Sequence, residues 1–206
     1  MSGLKITYRR AGSGDPLVLL HGGFGFDSRS WGPQLDGLDD EFSVIAWDAP
    51  GCGGSDDPPE SFSLEHYADS LAGFVSAPGL TRPHILGLSF GGALALALYA
   101  RHPTVPRSLT LAGAYAGWAG SLPAGEVRRR VRRISEEVTQ RPDARAARGT
   151  RRPSPLAVGR ELHTKIPGSK LVVIPGVGHL SNLEAADAFN REVRTFLRSL
   201  NSPIGR

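Results

Sequence analysis

The sequence predicts an α/β fold, with a mostly parallel central sheet and helices on both of its faces. Three observations carry this reading. Apolar runs of strand length alternate with helix-patterned segments along the chain. The run Leu17–Leu20 is continuous rather than alternating, as in a strand buried on both sides. Every connection long enough to judge contains a crossover helix, which parallel neighbours require.

Taken in order, Leu4–Tyr8 alternates apolar and polar residues and is followed by the turn cluster Ala11–Pro16, so a hairpin start is expected. Leu17–Leu20 is a buried strand that ends in the glycine-rich loop His21–Gly25, and Asp27 opens a helix to Leu38. Phe42–Trp47 is the next buried strand, closed by the low-bulk turn Asp48–Ser55. An acid opening such a turn bonds backbone N–H groups, which is the role read for Asp48; Cys52 is read as a bystander. Ser63 caps a helix over Leu64–Val75. Pro83–Leu88 is a short strand before a sharp turn, and Ala93–Ala100, apolar all round, reads as a central helix covered on every side. Ser108–Ala112 is a further strand.

Val127, Val131, Ile134 and Val138 then share one face of an amphipathic helix over Glu126–Gln140. Asp143–Ser154 shows neither strand nor helix pattern. Pro155 opens another helix to about Lys165, and Lys170–Pro175 reads as the last strand. Ser181–Glu184 is a capping box for a final helix with the stripe Phe189, Val193, Phe196 and Leu197, after which Asn201–Arg206 frays.

At 206 residues the expectation is a single domain over 1–206, with 113–154 as a reduced insert. No apolar run approaches the roughly 20 residues of a membrane span, and Met1–Lys5 lacks a signal peptide's apolar region, so a cytoplasmic, membrane-free protein is expected. Cys52 is the sole cysteine, which excludes an internal disulfide and a cysteine-based zinc site, and no motif asks for a metal or cofactor. Net charge is +4, yet ten arginines against four acidic residues lie between Glu126 and Arg152. Without aromatic residues for base stacking between Arg128 and Arg152, that segment reads as a solvated basic face and no nucleic-acid partner is expected. Oligomeric state is left open.

The chemistry centres on Gly87-Leu88-Ser89-Phe90-Gly91, a G-x-S-x-G pattern between a strand and a helix start. With 26 glycines in the chain the pattern alone has a sizeable chance frequency, so its context has to decide. A serine hydroxyl attacks an acyl carbon only with a base to take its proton and donors to hold the oxyanion. His179, on a Gly-x-Gly-His loop after a late strand, is the candidate base. His66, His102 and His163 fall within or at the ends of helices and His84 precedes the serine turn, so these are read as packing or surface residues. The N–H of Phe90 follows the serine at a helix start, and the Gly23-Phe24 loop supplies a second donor.

These segments, with Asp48-x-Pro50-Gly51-x-Gly53-x-Ser55 and Leu19-Leu20-His21-Gly22-Gly23, stand in the order of the α/β-hydrolase fold family. The chain resembles most its esterase, lactonase and haloperoxidase-like branch, over residues 4 to about 118 and 155 to 200. The resemblance implies Ser89 as nucleophile, His179 as general base, and the N–H groups of Phe90 and Gly23 or Phe24 as oxyanion hole, acting on a small carboxylic ester or lactone. It also implies a cap and a strand whose Asp orients the histidine. Here the cap is shortened and Arg151 or Arg152 falls at the acid's position, while the other place the family uses holds Gly113. Asp143, Glu136 and Glu137 are the alternative acids; a Ser–His dyad of weak activity and an inactive, internally deleted or purely binding form are the other outcomes.

Overall fold

The computed structural model describes residues 3–23, 25–76, 80–114 and 156–201. Its strands are β1 (Tyr8–Ala11), β2 (Asp15–Leu20), β3 (Phe42–Trp47), β4 (His84–Leu88) and β5 (Ser108–Ala112). They form one sheet in the order β1-β3-β2-β4-β5. β1 runs antiparallel to β3 and every other pair is parallel, so the expected mostly parallel sheet is present.

The helices are α1 (Gly32–Gly37), α2 (Leu64–Val75), α3 (Phe90–Arg101), α4 (Leu156–Lys165), α5 (Ser181–Glu184) and α6 (Ala186–Asn201), with a 3₁₀ turn over Ser28–Trp31. The single helix expected from Asp27 to Leu38 is thus split. Pro33 has no N–H to give to the carbonyl of Arg29, so the first turn cannot continue as α-helix.

Strand side chains alternate between the two faces. Val18, Leu20, Ile45, Trp47 and Ile85 pack against Tyr67, Leu71, Leu94 and Leu98 of α2 and α3. Leu17, Leu19, Val44, Ala46, Leu86 and Leu88 pack on the other face against Trp31, Leu35, Phe189, Val193 and Leu197. Both faces of β2, β3 and β4 are therefore dry, and this burial is the main stabilising term of the fold. α3 is less enclosed than its composition suggests: its first turns are buried, but Tyr99 is 53% exposed.

Three expectations about connections are corrected. β1 does not form a hairpin with β2; it crosses to the far side of β3, pairing Tyr8 with Trp47. Gly12, at φ 71°, makes this possible, because a Cβ there would lie 2.3 Å from the Asp39 carbonyl oxygen.

Lys170–Pro175 is not a strand. Leu171, Val172 and Val173 are 37%, 42% and 51% exposed, and they do not pair with Leu109–Leu111 either. Their apolar side chains carry a β signal, but a ladder needs a neighbouring edge in register, and α4, which should press this unit onto the sheet, has no buried residue. The capping box at Ser181 is absent as well: the N-cap is Leu180, with no side-chain cap bond. The Glu126–Gln140 helix, the 113–154 insert beyond Ala114 and the tail after Asn201 lie outside the described residues.

After the undocked segment the chain returns firmly. Phe189, Val193 and Leu197 of α6 are buried, and Arg194 and Arg198 pair with Glu41 at 2.6 and 2.8 Å. Leu197, fully buried at the centre of this seam, is the position to test. Leu197→Ala is expected to lower unfolding stability by about 2–5 kcal/mol in chemical denaturation, as a large-to-small change in a core that cannot collapse.

Candidate active site

The order of the strands fixes where a site can form. From β2 the chain moves outward to β3, then jumps back across β2 to β4, so the winding reverses between β2 and β4. In open α/β sheets the carboxyl ends of the strands at such a reversal leave a crevice for ligands. Ser89 follows β4 at that edge and the His21–Gly23 loop follows β2, with Leu20 and Gly87 in register across the pair.

Ser89 has φ 55° and ψ −111°, a conformation that L-residues rarely adopt. Its N–H donates to the carbonyl of Ala112 at 2.8 Å, and its own carbonyl accepts from Gly92 and Ala93, so the turn is held on both sides. Three glycines leave room for it. A Cβ on Gly87 would stand 2.2 Å from the Gly91 carbonyl oxygen, one on Gly91 2.2 Å from that of Leu20, and one on Gly92 2.3 Å from the Ala114 Cβ. The Phe90 N–H lies in the first turn of α3, at the positive end of the helix, and its ring meets Tyr67 edge-on with centroids 6.1 Å apart.

Across the crevice, His21 is 3% exposed and holds the neighbouring loop. Its Nε2 accepts from the Ala49 N–H at 3.1 Å, which leaves the proton on Nδ1 to donate to the Gly22 carbonyl at 2.7 Å. Burial drives the imidazole pKa below its ordinary 6.5, because a charged ring would lose water and the Ala49 bond together. The Gly22–Gly23 segment then turns back through a bond from Phe26 N–H to the Gly23 carbonyl at 3.2 Å.

Asp48 takes the structural role expected of it. Its carboxylate accepts from Ser28 N–H at 2.7 Å and from the Thr7 hydroxyl at 2.6 Å. Gly53, at φ 56°, leaves space for that carboxylate, which a Cβ would meet at 2.4 Å. Cys52 is buried in the same turn.

His179 is half-buried in the loop before α5. The next residue, Leu180, packs into the cluster that contains Leu88, directly before Ser89. Two residues further, Asn182 is fully buried and gives its side-chain N–H to the Ser30 carbonyl at 2.9 Å; its backbone carbonyl accepts from the Gln34 side chain at 2.9 Å, while its side-chain oxygen is buried without a partner among the described residues. Gln34 also donates to Asn190 of α6 at 3.0 Å. This buried amide network ties the histidine loop to the helix that follows the Gly22–Gly23 loop. Among the described residues no group of three His, Cys, Asp or Glu side chains is placed to hold a metal ion.

A model of the family described as alpha/beta hydrolase fold matches residues 15–154. The chain belongs to the alpha/beta hydrolase fold family. The dihydrolipoyllysine-residue acetyltransferase component of the acetoin cleaving system of Cupriavidus necator is 34% identical over 111 residues, 54% of this chain and 30% of that protein. The chain spans about a third of the length of the curated relatives it matches. Among solved structures, an esterase of Thermogutta terrifontis aligns with TM-score 0.79 at 23% identity, over 97% of this chain and 95% of that one. The enol-lactonase of Burkholderia xenovorans aligns with TM-score 0.73 at 25% identity, over 95% and 97%.

Within the alpha/beta hydrolase frame, Ser89 and Phe90 follow β4 and Gly23 follows the adjacent β2, while His179 lies in the loop whose next residue, Leu180, is buried in the apolar cluster under the sheet. Phe24, Asp143, Glu136 and Glu137 lie outside the described residues. Sequence reasoning passed over His21, whose position directly after a buried strand was the available signal, and over Asn182 and Gln34, polar residues that sequence alone places on a surface.

Two measurements bear on this geometry. Gly91→Ala is expected to destabilise the protein by about 1–3 kcal/mol or more by forcing α3 off β2, and to abolish reaction at Ser89, read by denaturation and by probe labelling. His21 is expected to remain neutral and protonated on Nδ1 as pH falls below 6.5, visible in its ring ¹⁵N shifts. The unfolded chain gains a proton there while the folded one does not, so His21 contributes stability that is present above pH 6.5 and lost as pH falls toward its depressed folded value.

Proposed function

We propose that the protein is a serine hydrolase acting on a small carboxylic ester or lactone. The observation that carries this reading is the left-handed backbone of Ser89 at the winding reversal, at the end of the strand that pairs with β2, which leads into the Gly22–Gly23 loop. In the proposed reaction the Ser89 hydroxyl oxygen attacks the acyl carbon while His179 takes its proton. The oxyanion is held by the N–H groups of Phe90 and Gly23, or Phe24. His179 then gives the proton to the departing alcohol, which in a lactone stays attached to the acyl group. Water, deprotonated by His179, attacks the acyl-enzyme and the collapse releases the carboxylic acid and restores Ser89.

The reaction needs no group beyond those of the chain. Asp143, Glu136 and Glu137 are the proposed acids for orienting His179. With arginine where the family's acid is expected, the reaction is expected to be weak; loss of an orienting acid costs about 10⁴ in kcat in a well-studied triad. A shortened cap over 113–154 fits an open, poorly selective pocket for small substrates in a cytoplasmic protein. No described helix is long and apolar enough to cross a membrane.

One observation favours a non-catalytic, binding-only reading: the segment leading to His179 stands outside the sheet, with Val173 51% exposed. A single experiment separates the two. A fluorophosphonate probe is expected to label the wild type, with labelling and p-nitrophenyl ester hydrolysis both lost in Ser89→Ala and in His179→Ala. Equal hydrolysis by wild type and Ser89→Ala would leave only the binding reading.

A further inference from the structure

Glu184 lies five residues beyond His179, yet its side chain turns back toward it. One carboxylate oxygen accepts the N–H of Gly178 at 2.8 Å and the other that of Leu180 at 3.2 Å. The N–H groups of the residues before and after His179 are thus bound to one anion. Gly178 shows that the approach is close: a Cβ there would lie 2.7 and 2.8 Å from the two carboxylate oxygens. Gly176 stands at φ 72°, where glycine serves the backbone, whereas Gly178 has no such need and its missing side chain makes room for Glu184.

We infer that Glu184 is a positioning residue for His179, fixing the loop that carries the base and keeping a negative charge beside it. The inference rests on His179 being the base proposed above. With Leu171–Ile174 outside the sheet, no strand sets the direction of this loop from its N-terminal side. On the C-terminal side Leu180 is anchored in the core. The carboxylate joins the two ends, and its charge favours the imidazolium that forms when Ser89 is deprotonated. It acts on the backbone of the loop, a role separate from that of the acids proposed above to orient the ring.

The test compares the full-length protein with Glu184→Gln, Glu184→Asp and His179→Ala, reading the rate of fluorophosphonate labelling against pH. Glutamine keeps the length but offers one acceptor and no charge; aspartate keeps the charge on a shorter arm. Glu184→Gln is expected to label about tenfold more slowly or worse, from misplacement of the base. Its acid limb should move down by about half a pH unit, because the imidazolium loses a neighbouring anion. Glu184→Asp should keep the limb while losing rate. The limb is a property of the folded fraction, so partial unfolding of a variant does not imitate its shift. Wild-type rate and limb in Glu184→Gln, or a slower rate with an unmoved limb, would overturn the role of Glu184 while leaving His179 as base if His179→Ala fails to label. Wild-type labelling of His179→Ala would overturn the base itself, and the role of Glu184 with it.

Discussion

The candidate site depends on the contact of Gly91 with the carbonyl oxygens of Leu20 and His21, where a Cβ would stand 2.2 and 2.7 Å away. Two backbones from adjacent strand ends meet there with no side chain between them. The helix carrying Ser89 at its cap is pressed onto the strand that feeds the Gly22–Gly23 loop, so the proposed nucleophile and the proposed oxyanion donor share one junction. Buried strands β2, β3 and β4 fix the junction from below, and His21 fixes it from the side through Ala49. The left-handed conformation of Ser89 costs of order 1–3 kcal/mol, and it persists because all its neighbours are over-determined.

The proposed base is held by a different principle. In a complete winding of this fold a last strand would carry its loop; here Leu171–Ile174 does not join the sheet. Placement comes instead from Ile174 before the loop and Leu180 after it, both in the apolar cluster, and from Asn182 and Gln34, buried polar residues that join the loop to α1 and α6. The network ties the loop to α1 and α6 through Gln34, although the Asn182 side-chain oxygen stays buried without a partner among the described residues, at a cost of about 1–3 kcal/mol. The two halves of the site therefore depend on different parts of the core.

What could be read from the sequence follows from how local each cause is. Apolar runs marked β2, β3 and β4, the short segment Ser108–Ala112 marked β5, and Gly87-x-Ser89-x-Gly91 marked the turn at Ser89, because the residues that cause these features are adjacent in the chain. The stripe of Phe189, Val193 and Leu197 was equally plain. Lys170–Pro175 misled because its β pattern is local while its pairing is not: a strand exists only beside another edge. Pairing of β1 with β3 rather than β2 was hidden for the same reason. Glu184 looked like half of a capping box, and only the path of the loop shows that it reaches Gly178 instead. Asn182 and Gln34 were illegible, since a polar residue earns burial only from partners distant in sequence.

The undocked stretch at Leu171–Val173 also bears on how the protein behaves in a concentrated solution. Consecutive apolar residues, exposed and without a ladder partner among the described residues, resemble the segments through which chains associate side by side. Lys170 and Pro175 bracket the run, one bringing charge and the other a backbone without a donor, which is how natural sequences blunt such an edge. One of these flanking residues, Pro175, also opens the loop that carries His179, so the end of the exposed run and the start of that loop coincide.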